Sequence, residues 1–193
     1  MKKTSIHETH IRSLEGFIDL IDEVDGYTAE HSRLVAEYAE LIALKLGLDS
    51  KSVSTIRKAA KLHDVGKIRV PNDVLKKTGK YTPEDYEAMK THTTHGHQLL
   101  LQIDYLKEAA PIVLHHHERW DGQGYPNKLK GEDIPIGSRI IAVCESYDTM
   151  TMVRPYKKNL TKEQALQELI HNKGTQFDPQ VVDTFLEIIN LKK

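Results

Sequence analysis

The chain has one cysteine, Cys144, among 193 residues. That excludes an internal disulfide, and nothing in the sequence demands an oxidising compartment. No apolar run approaches the ~18 residues that a membrane span needs. The lysine-flanked start also lacks the apolar centre of a signal peptide. Neither sign of charge is in excess: the formal net charge is -1, so no general surplus of Lys and Arg exists to neutralise a nucleic-acid polymer, and any anion site must be local. Internal repeats, low-complexity tracts and dividing linkers are absent too. What remains is a chain 39% hydrophobic and 28% charged, enough for one globular domain with a buried core. A soluble cytoplasmic protein is expected.

The pattern reads helix after helix, with no convincing strand alternation. Leu34, Val35, Tyr38, Leu41, Ile42 and Leu46 recur at threes and fours before Gly47, and His31 shares their face. A second helix from Asp49 or Ser50 carries Ile56, Ala59, Ala60 and His63 on one stripe and is expected to stop at Gly66. Thr82-Pro83-Glu84-Asp85 combines a capping hydroxyl, a first-turn proline and two acids, and starts the helix that delivers His92. Residues 104–118 form a further helical candidate, interrupted by Pro111 and ending in His115, His116 and His117. The stretch from Arg119 to Pro135, rich in Gly, Pro and charge, reads as the longest loop. Ile136 to Met152 is helical again. A closing helix pair follows: Thr161 with Gln164 forms a capping box, Gly174 is a stop, and Asp178-Pro179 a new start. One all-α domain over residues 1–193 is the simplest account, with 1–26 as a connecting helix.

The chemistry-bearing residues are His31, the pair His63 and Asp64, His92, and the run His115 to His117, followed by ERWDGQGYP. Imidazoles and carboxylates ligate hard and borderline divalent ions, and a carboxylate shared between two imidazole clusters can bridge two metals. A lone histidine on an apolar helix face is more often a hydrogen-bonded core residue, so His31 by itself proves nothing. The adjacent His63 and Asp64 shift the balance, because a carboxylate near a buried face requires a charge, hydrogen bonds or a metal to compensate it. Lys67, one turn beyond His63, puts an ammonium beside the presumed metals, unless it is simply a solvated helix-end lysine. Arg154 and Lys157 in VRPYKK either clamp phosphate oxygens or complement a helix dipole, and spacing does not choose between these. His7, His10, His95, His97 and His171 have no comparable partners. Cys144 reads as a small core residue.

HDVGK at 63–67, HTTHG at 92–96, HHERWDGQGYP at 116–126 and RPYK at 154–157, in this order, resemble the signatures of the HD-GYP domain, a helical branch of the HD phosphohydrolases that hydrolyses cyclic di-GMP. The resemblance implies a single HD-type helical bundle with an HD-GYP extension. It implies that His31, His63 and Asp64 are metal ligands, Asp64 being the bridge, and that His92, His116 and His117 hold a second ion, with His115 an extra neighbour. Lys67 then lies near the scissile phosphate, and Tyr125, Arg154 and Lys157 contact substrate.

Two positions depart from the family pattern. Glu145 stands where the family has an aspartate completing the first metal's ligands, and offers the same oxygen chemistry on a longer stem; Asp148 is the nearest alternative. Tyr27 occupies the place of the carboxylate used by members with a third ion, so two metals are expected. Mixed imidazole and carboxylate ligands suit iron first and manganese second, rather than structural zinc. The implied reaction opens cyclic di-GMP to linear pGpG, and a further cut to GMP is known in the family. The alternatives are a catalytically silent module binding cyclic di-GMP or a partner signalling protein, and a hydrolase of mixed cyclic GMP-AMP. Such domains often follow receiver or sensor modules, and residues 1–26 are placed to join one.

Overall fold

The computed structural model describes residues 30–152 and 159–191, so the expected connecting helix at 1–26, Tyr27, Arg154 and Lys157 lie outside the described residues. Eight α-helices occur among the described residues, with no strand beyond an isolated bridge between Lys173 and Phe177. The all-α expectation holds. None of these helices is long and apolar enough to cross a membrane.

Helix α1 (His31–Lys45) buries Val35, Ala36, Ala39, Ile42 and Ala43, and ends before Gly47, whose φ of 74° reverses the chain. Its buried face is narrower in side-chain volume than the expected stripe, because the alanines lie at the centre while Leu34, Tyr38 and Leu41 flank it. Small residues there, matched by the buried Ala59 and Ala60, let α1 lie close against α2 (Ser50–Leu62). Asp49 caps α2 by accepting from the backbone of Lys51 and Ser52.

Contrary to the expected stop at Gly66, α2 ends at Leu62, with His63 at its cap, and the chain tightens into a 3₁₀ turn over Val65–Arg69. The reason is backbone contact. A Cβ on Gly66 would lie 1.9 Å from the His92 carbonyl oxygen and 2.4 Å from the Gly96 nitrogen, so the turn is pressed directly onto the next long helix. After the short α3 (Asn72–Leu75), that helix, α4 (Pro83–Leu101), begins with a reciprocal capping box between Thr82 and Asp85. The expected helix at 104–118 is reduced to a 3₁₀ turn at Asp104–Leu106 and the five-residue α5 (Ala110–Leu114), which frees the histidine run to curl inward.

Helix α6 (Ile136–Thr151) closes the bundle against α1, with α7 (Lys162–His171) and α8 (Pro179–Leu191) behind it. Phe185 meets the rings of Tyr38 and Tyr147 at 5.4 and 4.9 Å, joining α8, α1 and α6 in one aromatic contact. Burial of such side chains contributes roughly 1.5–3 kcal/mol each. The Thr161 capping box and the Asp178 cap stand as expected, and Asp178 also accepts from Arg139 at 2.7 Å. Cys144 is fully buried in the core.

Candidate metal centre

Four separate elements bring their histidines to one place. His31 opens α1, His63 and Asp64 follow α2, His92 lies on the inner face of α4, and His116 and His117 follow α5. Two triads result, His31 with His63 and Asp64, and His92 with His116 and His117, each with its ligand atoms within 4.8 Å of one another. Asp64 lies between them and is buried: Oδ2 is 3.3 Å from His63 Nε2, and Oδ1 is 3.5 Å from His92 Nε2. Oδ1 has no hydrogen-bond partner, a costly state for a buried carboxylate oxygen in the absence of a cation.

The rings are oriented by the same local device. Nδ1 of His63, His92 and His116 lies 2.8, 2.7 and 2.7 Å from the carbonyl oxygens of Ala60, Met89 and Val113, in each case three residues earlier. A carbonyl only accepts, so each Nδ1 carries the hydrogen and each Nε2, when deprotonated, can offer a lone pair inward. His31 differs: its Nδ1 donates to Asp148 Oδ2 at 2.6 Å, across 117 residues of sequence. Nε2 of His92 and Nε2 of His116 are 3.3 Å apart. Two nitrogens bound to a common first-row ion at about 2.1 Å would be about 3.0 to 3.4 Å apart, so the residues present fit a cation. Partners that hold a ligating imidazole by its other nitrogen strengthen metal binding. Asp148→Asn is therefore expected to weaken metal affinity about 10- to 100-fold, measured by metal titration of chelator-stripped protein; unchanged affinity would contradict the orienting role.

Electrostatics divides the two triads. Burial opposes a charge on His63, but the adjacent Asp64 carboxylate prevails and pushes it up to about 9. Asp64 also suffers desolvation, which Lys67 and His63 overcome, holding it well below the usual carboxylate range. In the second triad, burial pushes His92 down to about 4 and His116 well below the ordinary imidazole value, with neighbouring imidazoles adding to the effect on His116. These two are neutral in the fold and gain protons on unfolding, where histidine titrates near about 6.5. Metal-free protein should keep their contribution to stability above that pH and lose it as pH falls toward about 4. Thermal unfolding of chelator-stripped protein at pH 7.5 and 5 checks this: the midpoint is expected to be lower at pH 5, the joint loss at His92 and His116 outweighing the opposite contribution of His63, whose raised value favours the fold more at pH 5.

The other expected site residues fall around this pair. Lys67 is buried, with Nζ 2.9 Å from Asp64 Oδ2. Tyr125 stacks on His117, ring centroids 4.9 Å apart and planes 28° from parallel. Glu145 is half-buried, lies outside both triads, and lines a cavity of about 210 Å³ with His116 and His117. Burial opposes its ionisation, but the imidazoles of His117 and His63 hold it below the usual range. Asp148, the alternative ligand, instead faces His31 Nδ1. His115 stays outside the triads, its ring nitrogens 2.9 Å from Pro111 O and 3.2 Å from Asn127 Oδ1.

Sequence reasoning missed Glu118. It is buried, and its Oε1 accepts from the Asn127 backbone at 2.7 Å, while Tyr125 N–H donates to His117 O at 3.2 Å. A Cβ on Gly124 would lie 2.3 Å from Arg119 N, so this glycine lets the loop fold back and set Tyr125 against His117. The only local signal was the position of Glu118 beside the histidine run.

Fold and site define an all-helical domain enclosing a histidine and aspartate cluster fit for two metal ions. The chain belongs to the HD domain family, whose model matches residues 15–181. It is 40% identical over 183 residues to the cyclic di-GMP phosphodiesterase response regulator RpfG of Xanthomonas campestris pv. campestris (strain 8004), covering 94% of this chain and 48% of that protein. A cyclic di-GMP phosphodiesterase of Thermotoga maritima is 42% identical over 166 residues, covering 85% of this chain and 45% of that protein. Among solved structures, V-cGAP3 of V. cholerae, described as a cyclic GMP-AMP specific phosphodiesterase, matches with a TM-score of 0.72 at 25% identity, over 92% of this chain and 48% of that one. The chain thus spans about half the length of the curated relatives it matches.

Proposed function

We propose that this chain is a metal-dependent phosphodiesterase that hydrolyses cyclic di-GMP in the cytoplasm, giving linear pGpG. The observation that carries this reading is Asp64, buried where the two triads meet, with Oδ2 toward His63 and Oδ1 toward His92. His31, His63 and Asp64 would hold one ion, with Glu145 completing its ligands, and His92, His116 and His117 the other, Asp64 bridging them. Iron is the first choice and manganese the second, from the imidazole and carboxylate donor set. When bound, two such cations supply an activated water and neutralise phosphoryl charge.

The chain's own residues supply the rest. Lys67 holds a positive charge at the buried edge of Asp64, placed to bind a phosphate oxygen or to protonate the departing ribose oxygen. Tyr125, fixed against His117, walls the site on the loop side; Arg154 and Lys157, outside the described residues, are assigned to substrate phosphate from the family resemblance alone. Likeness to V-cGAP3 supports a second reading, in which a mixed cyclic GMP-AMP dinucleotide is the substrate. The half of the relatives' length outside this match leaves room for a receiver or sensor module.

Lys67→Ala is expected to keep its metals while turnover falls about 10²- to 10⁴-fold. Metal analysis and cyclic di-GMP hydrolysis on one anaerobically prepared sample, with iron or manganese resupplied, test both points. Metal-filled protein that binds cyclic di-GMP without forming product would instead favour a silent binding module.

A further inference from the structure

A groove of about 530 Å³ runs between α4 and the loop that carries Tyr125, within the size range of small-molecule sites. Its walls mix polar and apolar surface: Glu87, Lys90, Thr91 and Thr94 from α4 face Gln123, Tyr125, Pro126 and Lys128 from the loop. Tyr125 is the wall it shares with the candidate metal centre. Its ring is stacked on His117, and Lys90 Nζ lies 5.7 Å from its centroid, so the groove begins one aromatic ring away from the second triad.

The groove's donors suit a nucleotide. Lys90 is partly exposed, and its ion pair at 2.6 Å to the exposed Glu87 is of a kind that contributes little and exchanges readily. Thr91 donates its hydroxyl hydrogen to the Ala88 carbonyl at 2.6 Å, so toward the groove it can only accept, as a base N–H requires. Lys128 is held at φ 56°, a left-handed conformation that glycine or asparagine adopts at less cost. The loop keeps a lysine there, at the groove edge.

A cyclic dinucleotide has two phosphates and two bases, and only one phosphate can lie over the metal pair while it is cut. We infer that this groove is the subsite for the uncleaved half, with Lys90 and Lys128 on the distal phosphate and Thr91, Thr94 and Gln123 along its base. The inference rests on the phosphodiesterase reading above and adds where the second half lies.

The test is steady-state hydrolysis by the metal-loaded full chain carrying Lys90→Ala and Lys128→Ala together. Cyclic di-GMP is compared with bis(p-nitrophenyl) phosphate, a diester with no second nucleotide. For cyclic di-GMP, KM is expected to rise about tenfold or more with kcat held, the scale of losing charge-assisted contacts. The rise for the small diester is expected to be less than twofold. An unchanged KM for cyclic di-GMP would overturn the subsite, as would an equal loss on both diesters, which would place the lysines' effect at the metal centre. Wild-type protein that cleaves the small diester but neither binds nor cleaves any cyclic dinucleotide would overturn the functional reading itself, and the subsite with it.

Discussion

Asp64→Ala is expected to reduce bound metal from two ions per chain to at most one and to lower hydrolysis by on the order of 10³-fold or more, equivalent to about 4 kcal/mol of transition-state stabilisation. Asp64 reaches both triads, with 3.3 Å to His63 Nε2 and 3.5 Å to His92 Nε2. Its removal also takes from the buried Lys67 ammonium the carboxylate 2.9 Å away, a costly loss for a buried charge. Metal analysis and hydrolysis on the same sample separate the effects. Two retained metals with lost activity would show that Asp64 serves the chemistry without bridging.

Gly66→Ala is expected to be the most damaging glycine-to-alanine change among the described residues. The added carbon would sit 1.9 Å from the His92 carbonyl oxygen and 2.4 Å from the Gly96 nitrogen, both backbone atoms fixed within α4. Because neither can swing aside, the 3₁₀ turn must lift off α4, and overpacking of this kind costs about 1–3 kcal/mol or more. Lifting the turn carries Asp64 and Lys67 away from His92, so metal content should fall along with the unfolding temperature. Gly47→Ala is the useful contrast. Nothing lies within 4 Å of a Cβ there, and strain at its φ of 74° would lower stability without touching the metal centre. Equal metal loss in both variants would contradict the close-contact account.

These two residues show how far the sequence alone could be read. The helix starts at Asp49, Thr82, Thr161 and Asp178 were legible because capping is local: donor and acceptor are within three residues of each other. The identity of the clustered histidines was legible from their types and order, and the structure brings His31, His63, His92, His116 and His117 together around Asp64. Gly66 reads locally as a helix stop, since nothing in HDVGK reveals that another backbone lies against it. Asp148 looked like a spare ligand because its true contact, Nδ1 of His31, is 117 residues away. The expected helix at 104–118 fails for a similar reason. Its helical stretch stops at Leu114, and the chain bends there to deliver imidazoles that meet residues far away in sequence. Lys90 and Lys128, 38 residues apart, carry no local signal, and the fold is what places them along one groove.

The measurement that tests the central claim most directly is a titration of metal-free protein with Mn²⁺ under anaerobic conditions, following bound metal and cyclic di-GMP hydrolysis together. The account predicts that hydrolysis stays low through the first equivalent and rises with the second, as the two triads sharing Asp64 both fill. Full activity at one equivalent, or no hydrolysis with two ions bound, would contradict it.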